Sequence, residues 1–145
     1  MTIVKTRLIV FILCINIALF AQNVATTDPK MQRLPQSSEE VHFFKGTLKE
    51  ALAKAAAEKK WIFIDVYTDW CVPCKTMANE AFRDPDVADK LNAFFINFKL
   101  NPEKKGREIA QKYEVEAYPT TLIVDSTGFL IKKNAGYSSV IGFEG

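Results

Sequence analysis

The stretch Trp70-Cys71-Val72-Pro73-Cys74-Lys75 decides the fold. It follows an apolar run, and its Cys-x-x-Cys spacing places both thiols on the first turn of a predicted helix, where they can close a small disulfide ring and open it again. The helix N-terminus favours a thiolate, so Cys71 is the predicted nucleophile. Cys74 lies one turn further in and is predicted to be more shielded and to resolve a mixed disulfide. Pro73 stiffens the first turn, where proline is tolerated.

Two other uses of a Cys-x-x-Cys pair stay open on the residues alone, a zinc half-site and a static disulfide. Zinc requires four ligands, and the chain beyond its N-terminal segment offers only His42 as a further soft ligand. A static bridge over so short a loop restrains the unfolded chain little. Haem attachment is excluded because Lys75 follows Cys74 where a histidine is required. We therefore expect no metal and no other cofactor.

Residues 1–21 have the plan of a secretory signal peptide. Two positive charges precede an apolar run from Leu8 to Phe20, which is short for a membrane span. We expect cleavage near Ala21 and export to the periplasm or another extracytoplasmic space. The small-residue rule at the cut is only half met, since Leu19 stands where a small residue is preferred. An uncleaved N-terminal membrane anchor is therefore the alternative.

Charge and cysteine content narrow the function classes. Removing residues 1–21 takes away two positive charges and no negative ones, so the formal net charge falls from +2 to 0. Lysines and arginines alternate with acidic residues in the pattern of a solvated surface, which argues against nucleic acid as a partner. Of the three cysteines, Cys14 leaves with the N-terminal segment. Both remaining cysteines belong to the motif and are predicted to react rather than to staple the fold.

Three segments follow from the composition: the signal peptide at 1–21, a polar linker or disordered arm at 22–40, and one domain at 41–145. The predicted elements of the domain are a helix capped by Thr47 and Glu50, a strand at 61–67, a helix from Cys71 past Ala81 with a break at 84–85, a strand at 93–100, a helix at 103–113, and strands at 120–125 and 129–133. With no heptad repeat or apolar surface stripe, we expect a monomer.

Several motifs, taken in their joint spacing, resemble the thioredoxin-like family. They are Asp65-Val66-Tyr67-Thr68-Asp69-Trp70, Cys71-Val72-Pro73-Cys74-Lys75, Lys99-Leu100-Asn101, Tyr118-Pro119-Thr120 and Gly136-Tyr137. The chain is most similar to the exported thiol:disulfide interchange type, such as the C-terminal periplasmic domain of the transmembrane thiol:disulfide reductase. The resemblance implies an α/β fold in which helices flank a central mixed sheet of about four strands. Few residues follow the last predicted strand, so the closing helix is expected to be truncated or missing.

The resemblance also implies roles for individual residues. Asp65 matches the family's buried acid, a carboxyl whose pKa should be raised and which can shuttle the proton of Cys74. Lys99 matches the basic residue opposite that acid, although a solvent-facing lysine stays open as the alternative. Pro119 matches the cis-proline that faces the cysteines. The predicted catalytic residues are Cys71, Cys74, Asp65 and Lys99, and the predicted substrate-binding residues are Trp70, Val72, Pro73, Tyr118 and Pro119.

The implied activity is that of an extracytoplasmic thiol:disulfide oxidoreductase that reduces or exchanges protein disulfides. Its partners would be protein thiols and disulfides and a membrane or soluble electron donor. The alternative is a redox-inert thioredoxin-fold binding or chaperone module that holds extended segments beside Pro119. Val72 replaces the family's usual glycine between the cysteines. The sequence therefore leaves the reduction potential and the direction of electron flow open.

Overall fold

Helices and strands alternate along the part of the chain that the computed structural model describes, residues 38–137. In chain order they are α1 (Leu48–Glu58), β1 (Trp61–Val66), α2 (Val72–Asn79), a 3-10 turn (Ala81–Arg83), α3 (Pro85–Phe94), β2 (Phe95–Leu100), α4 (Arg107–Lys112), β3 (Thr120–Val124) and β4 (Leu130–Ala135). The first helix begins as predicted. Thr47 and Glu50 form a capping box, in which each side chain accepts a hydrogen bond from the other's backbone N–H.

The four strands form one mixed sheet in the order β2-β1-β3-β4. Strand β1 pairs in parallel with β2 and antiparallel with β3, and β4 pairs antiparallel with β3. The central strand β1 is buried from Ile62 onward, because helices cover both faces of the sheet. This architecture confirms the predicted α/β fold with helices around a sheet of about four strands.

A separate apolar cluster lies on each side of the sheet. One contains Ile62, Ile64 and Leu122, together with alanines of α1 and α4 and with Tyr113, which follows α4. The other contains Phe63 from the opposite face of β1, together with residues of α2, the 3-10 turn and α3. The alternation of side chains along β1 therefore assigns each helix to a layer. It also fixes the face of Asp65, which is two residues from Phe63.

The prediction that the helix from Cys71 runs past Ala81 was wrong. Helix α2 ends at Asn79, and the chain tightens into the 3-10 turn before α3 begins. The turn buries Phe82, which is 3% exposed, against Phe63 with the ring centroids 6.0 Å apart. Asp84 then caps α3 as expected, because its Oδ1 accepts hydrogen bonds from the next two free N–H groups.

The strands predicted at 120–125 and 129–133 shift by one or two residues at their ends, and two earlier boundaries shift as well. The strand expected at 93–100 begins at Phe95, because the preceding residue, Phe94, ends α3 and is exposed. The helix expected at 103–113 begins only at Arg107. Before it, the Asn101 carbonyl accepts hydrogen bonds from the N–H groups of Lys104 and Gly106 and closes a turn. A Cβ at Gly106 would lie 2.7 Å from the Leu100 side chain, so only glycine fits this approach.

A short N-terminal segment completes the sheet edge and was not predicted. Phe43 forms a parallel β-bridge with Asn97 of β2. The side-chain amide of Asn97 donates to the carbonyl of His42 at 3.2 Å. Ser38, in the predicted arm, donates from its N–H to Asp89 of α3 at 2.6 Å. The end of that arm is therefore held to the domain.

Three predictions fall outside residues 38–137: the signal peptide at 1–21, most of the arm at 22–40, and the truncated or missing closing helix. Among the described residues, no helix is long and apolar enough to cross a membrane.

Candidate functional site

The two cysteines form a disulfide at the N-terminus of α2. Their Cα atoms are 5.3 Å apart. Cys71 is the N-cap of the helix, and its Sγ accepts a hydrogen bond from the Cys74 N–H at 3.2 Å. This donor is one of the free amides of the first turn, so it can also stabilise negative charge on that sulfur. The geometry agrees with the predicted position of Cys71, and its role as nucleophile stays a prediction.

The expected difference in shielding between the cysteines is absent in this disulfide state. Cys71 is 3% exposed and Cys74 is 5% exposed, so both are buried. The prediction that Cys74 is the more shielded of the two is therefore wrong for the oxidised protein. The reason is that the N-cap geometry folds the Cys71 sulfur back over the first turn of α2.

Asp65 lies beneath the pair, on the buried strand β1. Only 1% of the residue is exposed, and its Oδ1 has no hydrogen-bond partner within residues 38–137. Burial raises the pKa of Asp65 from its ordinary value of 3.8 to about 6, even though the nearby Lys99 ammonium opposes this rise. This agrees with the expected raised pKa. A carboxyl with this pKa is mostly ionised at neutral pH. It can accept and return a proton there, because its pKa lies close to the working pH.

Lys99 faces Asp65 across the parallel pairing of β1 with β2. The two residues are register partners, and Lys99 Nζ lies 3.5 Å from Asp65 Oδ2. The lysine side chain is 34% exposed and the carboxyl side chain only 2%. Lys99 is thus half-buried against the carboxyl, and its part in catalysis stays a prediction. A cavity of about 200 Å³ joins this pair to Cys74, since all three residues line it.

The loop after β2 contacts Asp69 and Trp70, the two residues that precede Cys71. The indole N–H of Trp70 donates to Glu103 Oε1 at 2.8 Å, and Lys104 Nζ lies 2.9 Å from Asp69 Oδ2. Asn101 also donates to Asp69, at 3.3 Å. These contacts form because the C-terminal ends of parallel strands β1 and β2 meet at one edge of the sheet. That topology is the signal from which Glu103 could have been predicted.

Three of the predicted substrate-binding residues adjoin the cysteines in the chain, and a fourth, Tyr118, contacts one of them. The Tyr118–Pro119 peptide bond is cis, as the resemblance implied, and Pro119 is fully buried. Tyr118 packs edge-on against Trp70 with ring centroids 6.0 Å apart. Trp70 and Val72 are 64% and 70% exposed, and Pro73 is also exposed. The pair is thus framed by apolar side chains that face solvent, and their part in binding stays a prediction.

Two aromatic residues near this site were not predicted. The rings of Phe43 and Phe82 lie 4.8 Å and 5.5 Å from Lys99 Nζ. They were missed because they come from the N-terminal bridge and from the 3-10 turn, neither of which was expected. Within residues 38–137, no group of three or more His, Cys, Asp or Glu side chains is arranged to hold a metal ion.

Known proteins are similar to this chain in sequence. The thioredoxin-like family model matches residues 44–126. The chain is 33% identical over 115 residues to the thiol:disulfide interchange protein DsbD of Vibrio vulnificus. That match covers 74% of this chain and 19% of that protein. It is 31% identical over 83 residues to DsbD 2 of Pseudomonas aeruginosa, covering 56% of this chain and 14% of that protein. The chain thus spans less than a fifth of the length of either relative.

A solved structure agrees with the sequence comparison. The solution structure of a candidate disulphide-isomerase from Bacteroides thetaiotaomicron is 38% identical, covers 71% of this chain and 86% of its own, and superposes with a TM-score of 0.64. The family match extends over more than half of the sequence and includes the Cys71–Cys74 disulfide. The chain belongs to the thioredoxin-like family.

Proposed function

We propose that the protein exchanges disulfides with other proteins in an extracytoplasmic space, with Cys71 as nucleophile and Cys74 as resolving thiol. The observation that carries the proposal is the Cys71–Cys74 disulfide at the start of α2, with the buried Asp65 carboxyl and Cys74 lining one cavity. A pair with both an attacking and a resolving thiol has what exchange requires.

The first step begins from the reduced pair. The Cys71 thiolate attacks one sulfur of a substrate disulfide, which forms a mixed disulfide and releases the other substrate sulfur as a thiolate. The N–H groups of the first turn of α2 stabilise the thiolate before it attacks. The cysteine can therefore act as nucleophile near neutral pH.

The second step releases the substrate. Cys74 gives its proton to the Asp65 carboxylate and attacks the Cys71 sulfur, which forms the intramolecular disulfide and frees the second substrate thiolate. Two electrons pass from the cysteine pair to the substrate disulfide. An external dithiol of a membrane or soluble donor returns them by the same steps in reverse, and Asp65 then supplies the proton that the Cys74 thiolate takes up.

The exposed apolar residues around the disulfide would form the substrate surface. Trp70 and Val72 flank the sulfur pair, and the edge-on contact with Tyr118 together with the Glu103 hydrogen bond holds the Trp70 indole in place. An extended substrate segment would pair with backbone beside Pro119, next to the disulfide. Partners would thus be unfolded or flexible protein segments that carry a thiol or disulfide.

Insulin reduction by the full chain with dithiothreitol as donor tests the proposal. We expect turnover by the wild type and none by Cys71→Ser, and we expect Cys74→Ser to accumulate a mixed disulfide with the substrate. Wild-type turnover no faster than that of Cys71→Ser would contradict an enzymatic role.

The extracytoplasmic location is supported by the pattern of residues 1–21. Expression of the full chain in a Gram-negative host, followed by N-terminal sequencing of the periplasmic fraction, tests it. A mature N-terminus at Gln22 supports cleavage and export. A full-length chain confined to the cytoplasm would contradict the proposed location.

A further inference from the structure

Three aromatic rings surround the ammonium group of Lys99. The distance from Nζ to the ring centroid is 4.8 Å for Phe43, 5.2 Å for Tyr67 and 5.5 Å for Phe82. A cation within about 6 Å of an aromatic centroid is attracted by the negative face of the ring. These three residues, which we call the Lys99 cage, therefore offer the ammonium group a partner in place of water.

Packing fixes two rings of the cage. Phe43 lies in the N-terminal bridge and contacts Phe82 edge-on, with the centroids 5.2 Å apart. Phe82 is buried in the 3-10 turn and also packs against Phe63 of the core. Tyr67 directly follows β1, and its backbone is held because its N–H donates to the carbonyl of Leu100. The positions of Phe43 and Phe82 therefore restrict where the Lys99 ammonium can lie.

Lys99 lines two cavities; Tyr67 also lines one of them, and Phe43 and Phe82 line the other. The cavity of about 200 Å³ contains Asp65, and its other charged or titratable lining groups are Tyr67, Asp69, Cys74 and Lys75. The other cavity is about 500 Å³, and its charged or titratable lining groups besides Lys99 are Glu40, His42, Lys45 and Arg83. Without the rings, the flexible lysine side chain could turn into the larger cavity or into solvent. Its distance from Asp65 would then increase.

We propose that Phe43, Tyr67 and Phe82 are positioning residues that hold the Lys99 ammonium against the Asp65 carboxylate. This inference rests on the proposed function, in which Asp65 accepts and returns the proton of Cys74. A cation held 3.5 Å from the carboxyl stabilises its charged form. That charged form is the one that accepts the proton. Loosening the cage therefore leaves Asp65 protonated up to a higher pH and slows the resolving step at neutral pH.

The variant Phe43→Leu tests the cage, because leucine keeps an apolar side chain and removes the ring. The measurement is a ¹³C NMR titration of the Asp65 carboxyl in the oxidised full chain, which needs no turnover. We expect Phe43→Leu to raise the pKa of Asp65 by about 0.4–0.7, the equivalent of one cation–π contact at a partly exposed site. Lys99→Met removes the cation itself and should raise it by about 1–3. Phe43→Tyr keeps a ring and should leave it unchanged.

Phe44→Leu is the matched control. It makes the same substitution one residue further on, but Phe44 packs against the cluster on the opposite side of the sheet. The pKa of Asp65 should not change in this variant. Tyr67→Leu is a second cage variant, which keeps the test decisive if Phe43→Leu does not fold, and it should raise the pKa as well. An unchanged pKa in the folded cage variants, or an equal rise in Phe44→Leu, would overturn the proposal.

Insulin reduction measured in parallel separates this inference from the proposed function. A raised pKa in the cage variants without turnover by the wild type would support the positioning of Lys99 and contradict the enzymatic role. Turnover by the wild type with no change in the pKa of Asp65 in the cage variants would support the enzymatic role and contradict the positioning of Lys99. When the wild type turns over and the pKa rises, the pH profile of turnover in Phe43→Leu should shift to higher pH by the same amount as the titration.

Discussion

Replacing Asp65 with asparagine should stabilise the oxidised protein at neutral pH. Burial raises the pKa of Asp65 to about 6, while its ordinary value is 3.8. Between pH 3.8 and about 6, the folded chain keeps a proton on Asp65 that the unfolded chain has released. The contribution of Asp65 to stability is therefore fully present below pH 3.8 and is lost as the pH rises through about 6. Each pKa unit corresponds to about 1.4 kcal/mol, so the ionised carboxyl costs on the order of 3 kcal/mol. Asparagine keeps the shape of the side chain and does not ionise.

Urea unfolding of the oxidised wild type and Asp65→Asn at pH 4 and pH 7.5 measures this cost. The stability advantage of Asp65→Asn should grow by about 2 kcal/mol between the two values. Asp125→Asn is the control. Hydrogen bonds, first from the Thr127 side chain and then from the Phe129 backbone, lower the pKa of Asp125. The contribution of its carboxylate is therefore already present at pH 4, and the stability difference between Asp125→Asn and the wild type should be nearly the same at the two pH values. An advantage of Asp65→Asn that does not depend on pH, or a loss at pH 7.5, would refute the reasoning.

Three further predictions follow from packing, capping and the disulfide. Leu91→Ala leaves a cavity at a fully buried position and should cost about 2–5 kcal/mol in chemical denaturation, whereas Phe94→Ala, at a residue 67% exposed, should cost less than about 0.5. Thr47→Ala removes the cap of α1 and should cost about 1 kcal/mol; no loss relative to Lys49→Ala would contradict the cap. Reducing the disulfide should free both thiols for alkylation, with Cys71 reacting first at pH 6 as resolved by mass spectrometry; equal rates would count against Cys71 as the nucleophile.

The fold could be predicted where local signals agree with one another. The capping box of Thr47 and Glu50, the β-rich run of β1 and the Asp84-Pro85 helix start each correspond to an observed element. The site residues could be placed in the same way, because the cysteines follow β1 and Lys99 lies on the next parallel strand. Parallel pairing then makes Lys99 the register partner of Asp65.

The misplaced boundaries depend on contacts between distant parts of the chain. Nothing local ends α2 before Ala81, since no glycine or proline stands there; the burial of Phe82 against Phe63 explains the turn. The apolar run that contains Phe94 and Phe95 is compatible with the end of a helix and with the start of a strand, because periodicity does not distinguish the two in so short a run. The Lys99 cage could not be predicted either, because its three rings come from distant segments of the chain.

The proposed redox role depends on the reduction potential of the Cys71–Cys74 pair. The full chain is equilibrated in graded ratios of oxidised and reduced dithiothreitol or glutathione, and its free thiols are trapped and counted. We expect a single reversible two-electron transition. A midpoint near −270 mV would mark a reductase that a donor must recharge, and one near −120 mV an oxidant that installs disulfides. A pair that does not titrate reversibly, or a disulfide that exchanges with no thiol buffer, would contradict the redox role.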